Sequence, residues 1–295
     1  MLMFKINYKT ICSGCKHVRH FHVTKIMAKS KYEYVREFES EDKCLPNCWI
    51  VVRLDGRSFH RFTASHKFEK PNDKKALDLM NRSAAAVMKE LQDVQLAYGQ
   101  SDEFSFVLRK DTDLYSRRHS KIMSAINSIF SASYVFYWNT YFEDKKLLYP
   151  PSFDARIVLY PTDQNLRDYL SWRQADTHIN NLYNTAFWGL VLKKGLSNSD
   201  AEKVLSGTVS AQKNEILFTE CSTNYNNELA IFRKGTVLIR KKIKIPPSKT
   251  KKQVVYMLHV DIIGDSFWQE NEEILSLEKS QLYKDINPDD IFVYV

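Results

Sequence analysis

Short apolar runs alternate with longer amphipathic stretches in the first half of the chain. The β-branched run at 49–54 ends at Asp55-Gly56, which predicts a buried strand followed by a turn. Apolar residues at a period near 3.6 between 77 and 91 predict a helix that begins near Asn72. The same reasoning predicts strands over 94–98 and 103–108, a long helix over 113–142 and a strand over 153–160.

The order β-α-β-β-α-β predicts an α+β, ferredoxin-like core with an antiparallel sheet and two helices on one face. Beyond residue 160 the pattern is mainly helical, with a start at Thr162 or Asp163, a stretch over 178–193 and a capping box at 199–202. A β-branched run at 236–239 follows, and a proline pair at 246–247 predicts an exposed loop. We therefore expect the core to carry a helical C-terminal elaboration.

The topology brings acidic residues together at one end of the sheet. The first and third strands are adjacent and antiparallel in this fold, so Asp55 lies beside Asp102 and Glu103. Taken separately, Asp55-Gly56 and 101–103 are each typical of ordinary turns. Together they form a carboxylate cluster that favours Mg²⁺, which prefers oxygen ligands and keeps open positions for water and phosphate.

The net charge of +8 is unevenly distributed along the 295 residues. Residues 1–28 are basic and contain no Asp or Glu, as in a mitochondrial transit peptide, and a second start at Met27 would give a cytoplasmic form. We treat 29–265 as one catalytic domain and 266–295 as an acidic tail. With 44% hydrophobic residues and no apolar run near 18 residues, the sequence excludes wholesale disorder and predicts no membrane span.

Cationic residues at the start of the long helix predict an anion site. Arg118 and Lys121 share a face of that helix and oppose its dipole, a penalty that a bound triphosphate would remove. The alternative is a solvated basic face. The basic segment 229–260 is a candidate contact for a nucleic-acid backbone, or else a solvated strand and loop. His60 and His178 are equally compatible with ordinary surface or core positions.

Four ordered motifs resemble the tRNA-histidine guanylyltransferase family, whose core is similar to a polymerase palm. They are RLDGRSFH at 53–60, YGQSDEFSF at 98–106, HINNLYN at 178–184 and KNEIL at 213–217. The resemblance runs from about Met27 to about Trp268. It implies a homotetramer that acts on histidine tRNA, with two Mg²⁺ as cofactors and with ATP and GTP as substrates.

The resemblance also implies roles for individual residues. Asp55, the Gly56 carbonyl and Asp102 would hold the metal ions, with Glu103 as catalytic support. The triphosphate would lie on Arg118 and Lys121. The nucleotide site would further include Arg57, Ser58, Phe59, His60 and Ser101, whereas His178, Asn181 and Lys213 would position RNA or nucleotide.

The implied reaction adds guanosine to the 5′ end of the tRNA. ATP adenylylates the 5′-monophosphate, the 3′-hydroxyl of GTP attacks the activated phosphate, and pyrophosphate is then removed. The alternatives that remain open are a template-directed 3′–5′ polymerase that repairs tRNA 5′ ends, a nucleotide cyclase with a similar acidic loop, and an inactive RNA-binding protein.

Overall fold

The computed structural model describes residues 30–244, 251–276, 282–283 and 291–294. It divides into two compact units, one up to Glu41 and one from Asp42 onward. In the described part of the first unit, Glu33–Phe38 forms a 3₁₀-helix. The leader predicted over 1–28 and the proline loop at 246–247 lie outside the described residues.

The second unit contains all the strands and α-helices of the described chain. The strands are β1 Trp49–Gly56, β2 Val94–Gln100, β3 Glu103–Leu108, β4 Phe153–Tyr160, β5 Thr236–Lys244, β6 Lys251–Leu258, β7 Leu282–Tyr283 and β8 Ile291–Tyr294. The helices are α1 Phe59–Ser65, α2 Lys74–Glu90, α3 His119–Tyr141, α4 Asp163–Lys194, α5 Asn198–Leu205, α6 Ser210–Cys221, α7 Ala230–Lys234 and α8 Asp265–Glu270.

The described strands form one sheet with the order β4-β1-β3-β2-β5-β6-β8, and β7 pairs with β5. The first four strands have the predicted ferredoxin-like order, with β1 and β3 adjacent and antiparallel. Strands β5 and β6 continue the sheet beyond β2. The β-branched run at 236–239 indicated part of β5, whereas β6 was not predicted from the sequence. Strand β4 lies at one edge of the sheet, where β1 is its neighbour in the strand order.

Alternating side chains of each strand pack on opposite faces of the sheet. Ile50, Val52 and Leu54 pack with α2 and α3 in one buried cluster. Trp49 and Val51 face the other side, where they pack with residues of α4. The helices α2 and α3 on one face and the helical C-terminal region confirm the predicted α+β fold class.

Several helix boundaries differ from prediction for local reasons. Helix α3 begins at His119 because Tyr115, Ser116 and Arg117 have left-handed φ angles of 51°, 54° and 59°. The capping carboxylate of α2 belongs to Asp73, which accepts a hydrogen bond from the Ala76 N–H, and not to Asn72.

The C-terminal region contributes to the fold as well as to the charge pattern. Phe267, Trp268 and Ile274 are buried in the cluster on the α4 face, although their segment belongs to the acidic tail by composition. Within the described ranges, no helix is long and apolar enough to cross a membrane.

Candidate active site

Three carboxylates form a row across one end of the sheet. In the strand register, Asp55 of β1 lies between Glu103 of β3 and Asp154 of β4. Directly opposed residues of antiparallel strands have Cβ atoms about 5 Å apart. Asp154 was not predicted as a site residue, because the register of an edge strand against β1 cannot be derived from its sequence alone.

Asp102 reaches this end of the sheet from the turn between β2 and β3. The turn is tight, since Ser101 has a left-handed φ of 47°, and the Ser101 hydroxyl donates to Asp102 Oδ1 at 3.0 Å. The Asp102 carbonyl accepts the Gly56 N–H at 3.1 Å. A Cβ added to Gly56 would lie 2.8 Å from Asp102 Oδ2 and 2.3 Å from the Phe59 ring. The carboxylate and the glycine backbone therefore touch, which requires glycine at position 56.

The environment of Asp102 disfavours its ionised form in the absence of a cation. Burial raises the pKa of Asp102, and the negative charge of Asp55 raises it further, while the Ser101 hydroxyl and His60 act in the opposite direction. Two neighbouring carboxylates of this kind are stabilised by a bound cation.

The donors at this position fit Mg²⁺. Within the described residues, no group of three or more His, Cys, Asp or Glu side chains is arranged to hold a metal ion. The available ligands are the oxygens of two aspartates and a backbone carbonyl, a set that suits an ion which keeps several water or phosphate oxygens.

Glu103 is committed to a different contact. Its carboxylate is buried and pairs with Arg173 of α4 at 3.0 Å. Burial raises the pKa of Glu103, while Arg173 and Arg53 oppose the rise. Glu103 therefore links β3 to α4, and its catalytic support of the metal site stays a prediction.

A cleft of about 610 Å³ opens beside the carboxylates, between the sheet end, the start of α2 and one side of α4. Nine predicted site residues line it: Asp55, Gly56, Ser58, Phe59, His60, Ser101, Asp102, Glu103 and Asn181. The Arg57 side chain is exposed and lies outside the cleft lining, and its backbone N–H donates to the Ser152 carbonyl. The sequence thus predicted the part of the wall that carries the carboxylates, but it missed the segment at 68–77 and most of the wall formed by α4.

The predicted triphosphate residues lie outside the cleft lining, near Tyr115. Arg118 and Lys121 are both exposed, and the Lys121 ammonium lies 5.4 Å from the Tyr115 ring centroid. Asp42 already satisfies the start of α3, since its carboxylate accepts the Ser120 N–H at 2.8 Å. The Asp42 carboxylate therefore offsets part of the helix dipole without a bound anion, and the triphosphate site at Arg118 and Lys121 stays a prediction.

The neighbouring Arg117 has a structural role. Its guanidinium donates to backbone carbonyls of residues 44, 45, 48, 110 and 112. These bonds fix the loops that precede β1 and α3, so Arg117 is not free to hold a ligand.

Asn181 connects the cleft to the helical region. Its side-chain oxygen accepts from Asn72 at 2.9 Å, and its amide donates to the Tyr225 hydroxyl at 3.0 Å. His178 is exposed and lies 3.5 Å from the same hydroxyl. Lys213 donates to the Thr208 carbonyl at 2.5 Å. His178 and Lys213 do not line the cleft.

Two family models match this chain. The model described as tRNAHis guanylyltransferase covers residues 32–161, and the model described as Thg1 C terminal domain covers residues 164–264. The chain belongs to the tRNA-histidine guanylyltransferase family. The boundary between the two models falls close to the junction of β4 and α4, where the ferredoxin-like core ends and the helical region begins.

Curated relatives agree with this assignment. The chain is 55% identical over 273 residues to the probable tRNA(His) guanylyltransferase of Homo sapiens, across 87% of this chain and 92% of that protein. It is 50% identical over 283 residues to the tRNA(His) guanylyltransferase of Neurospora crassa, across 85% of this chain and 97% of the relative.

Solved structures share the fold. The tRNA(His) guanylyltransferase of Saccharomyces cerevisiae superposes with a TM-score of 0.69 at 48% identity, across 71% of this chain and 93% of that one. A bacterial Thg1-like protein in complex with ATP superposes with a TM-score of 0.65 at 20% identity, across 83% and 97% of the two chains. The fold class is therefore the palm-like fold of these guanylyltransferases.

Proposed function

We propose that this protein adds guanosine to the 5′ end of histidine tRNA. The observation that carries the proposal is the placement of the Asp102 carboxylate against Gly56, beside Asp55, in the lining of a cleft of about 610 Å³. Family membership and the names of the relatives support the same activity. The bacterial neighbours in complex with ATP and with GTP support these two nucleotides as substrates.

The reaction proceeds in three steps. ATP adenylylates the 5′-monophosphate of the tRNA, the 3′-hydroxyl of GTP attacks that phosphate and displaces AMP, and pyrophosphate is removed from the added nucleotide. The protein acts mainly by holding the reacting groups together and by balancing charge. Gly56 lines the cleft, and Phe59 and Met80 provide apolar wall beside it for a nucleotide.

Two Mg²⁺ would be held by Asp55, the Gly56 carbonyl and Asp102. When bound there, the ions would neutralise phosphate charge and lower the pKa of the attacking hydroxyl. The support for this proposal is the donor set of hard oxygens and the cation that two adjacent carboxylates require.

The remaining positioning roles are proposals of the same kind. Arg118 and Lys121 would hold a triphosphate, since both are exposed cations beside one tyrosine. His178, Asn181 and Lys213 would position RNA or nucleotide, since Asn181 lines the cleft and shares the Tyr225 hydroxyl with His178.

The predicted contact between the basic segment 229–260 and a nucleic-acid backbone is wrong for two of its residues. Arg240 and Lys241 are buried, so these two side chains are not available to a phosphate backbone.

The direct test supplies purified protein with Mg²⁺, ATP, GTP and 5′-monophosphorylated histidine tRNA. We expect one added guanosine in a single-nucleotide gel assay. Asp102→Ala abolishes the addition while its melting curve stays cooperative. Asp168→Asn, which changes an exposed carboxylate on α4, serves as the matched control and keeps full activity. Full activity of both Asp55→Ala and Asp102→Ala would refute the site assignment.

The alternative activity is template-directed repair of tRNA 5′ ends by the same site. A tRNA that lacks several 5′ nucleotides distinguishes the two. Addition of several templated nucleotides to it would favour the repair polymerase, whereas a single guanosine on the full-length acceptor favours the guanylyltransferase.

Assembly and compartment are proposals that depend on the family resemblance and on composition. A homotetramer would bury exposed apolar residues such as Phe136, which is 77% exposed. Import into mitochondria depends on the leader at 1–28, and a protein started at Met27 would stay in the cytoplasm. Size-exclusion chromatography and fluorescent fusions with and without the leader test these two proposals.

A further inference from the structure

A row of arginines lies one pleat away from the carboxylate row. In the register of β4 and β1, Arg156 is the partner of Arg53, two residues from the pair formed by Asp154 and Asp55. Residues two apart on a strand share a face and lie about 7 Å apart. The α4 face of the sheet therefore has carboxylates at its end and guanidinium groups immediately behind them.

Three buried polar atoms near this row have no hydrogen-bond partner within the described residues. These atoms are Arg53 Nε, Glu103 Oε1 and Arg173 Nε. Buried polar atoms are almost always satisfied by protein, water or ligand. Glu103 is paired with Arg173 at 3.0 Å, and the positive charge of Arg53 also favours its ionised form, but Arg53 Nε makes no hydrogen bond within the described residues.

The pair formed by Arg53 and Arg156 lies outside the cleft lining, two residues along the strands from Asp55 and Asp154. None of Arg53, Arg156 and Arg173 lines that cleft. Arg156 is exposed and lies on the edge strand β4, and its ion pair with Asp154 is long, at 3.5 Å. A macromolecule can therefore approach Arg156 along the edge strand, while the cleft lined by Asp55 is large enough for a nucleotide.

We infer that Arg53 and Arg156 bind the 5′-terminal phosphate of the substrate RNA and present it to the carboxylate row. Guanidinium groups match phosphate oxygens through forked hydrogen bonds, and the buried Arg53 Nε gives one donor a fixed direction. This inference rests on the proposed function and adds to it the position of the second substrate. The two substrates then meet at Asp55, which lines the cleft and lies two residues from Arg53.

The test measures the preference of the protein for a 5′-phosphate, without any catalytic step. Histidine tRNA bearing a 5′-monophosphate and the same tRNA bearing a 5′-hydroxyl are titrated into the full-length protein at one fixed Mg²⁺ and salt concentration. We expect the wild type to bind the phosphorylated tRNA about tenfold more tightly, the range of a charge-assisted hydrogen bond. Arg53→Met and Arg156→Met each reduce this ratio to roughly two, and Arg53→Lys retains part of it.

Arg109→Met is the matched control, because Arg109 follows β3 at the other end of the sheet and pairs with Asp111. Its ratio stays at the wild-type value even if total affinity falls. If Arg53→Met fails to fold, the exposed Arg156 carries the test alone. An unchanged ratio in Arg156→Met overturns the inference.

The outcome for the proposed function is separate. A wild-type protein that adds guanosine but does not prefer the 5′-phosphate refutes the arginine site and leaves the activity intact. A protein that prefers the 5′-phosphate but adds no guanosine refutes the proposed function.

Discussion

Replacement of Gly56 by alanine tests the close contact on which the active site depends. The new Cβ would lie 2.8 Å from Asp102 Oδ2, whereas ordinary contacts of this kind begin at 3.4 Å. The carboxylate must therefore move by about 0.6 Å, or the backbone must move instead. The Phe59 ring, at 2.3 Å, cannot yield easily because it is buried among aromatic side chains.

The expected cost follows from these two contacts. Overpacking against the buried ring should lower the free energy of unfolding by about 1–3 kcal/mol. Displacement of Asp102 by a fraction of an ångström should lower kcat/KM for guanosine addition roughly 10- to 100-fold, since misplacement by about 1 Å costs about 100-fold. Urea denaturation and the single-nucleotide extension assay measure the two effects.

Gly264→Ala provides the matched control. A Cβ at Gly264 meets nothing within 4 Å, and its φ of −70° is accessible to alanine. We expect this variant to match the wild type in both assays. Equal activity of Gly56→Ala and Gly264→Ala would refute the argument that the Gly56 backbone and the Asp102 carboxylate must touch.

Three further predictions concern charges that the fold buries. Arg240→Met removes a guanidinium that donates to the carbonyls of residues 88, 91 and 94 near the end of α2. The free energy of unfolding in urea should therefore fall by about 2–4 kcal/mol, whereas Lys242→Met should change it by less than about 0.5 kcal/mol. Burial lowers the pKa of Lys241 from 10.5 to about 8, so the folded protein binds fewer protons than the unfolded chain between these values. The free energy of unfolding should then rise with pH across this window by up to about 1.4 kcal/mol per pH unit, and Lys241→Met should abolish this rise in urea titrations. The pKa of Asp102 is raised above its ordinary 3.8, so the cost of its ionised form is present at neutral pH and is relieved as pH falls. Asp102→Asn should therefore raise the melting temperature in EDTA by roughly 1–3 °C while it abolishes guanosine addition, and a lower melting temperature would count against this reasoning.

The ferredoxin-like core could be predicted because its strands and helices have simple hydrophobic periods. The β-branched run before Asp55 and the spacing to Asp102 were sufficient to predict that these aspartates meet. The topology also gave the correct neighbour for β1, since the order β-α-β-β-α-β leaves few arrangements.

Features that depend on tertiary packing could not be read in the same way. Arg240 and Lys241 belong to a basic segment that looks solvated by composition, yet the fold turns them toward carbonyl and carboxamide oxygens. The caps of α3 and the alignment of Asp154 with Asp55 join distant parts of the chain, and no local pattern indicates them. Helix α1 was missed because it has only seven residues and begins after Ser58, whose φ is 55°.

Calorimetric titration of GTP in the presence and absence of Mg²⁺ tests the central claim most directly. The account predicts that Mg²⁺ strengthens GTP binding to the wild type and that EDTA removes this effect. It also predicts that Asp55→Asn and Asp102→Asn bind GTP equally with or without Mg²⁺. Undiminished Mg²⁺ dependence in both variants would contradict the assignment of these carboxylates to the metal–nucleotide site.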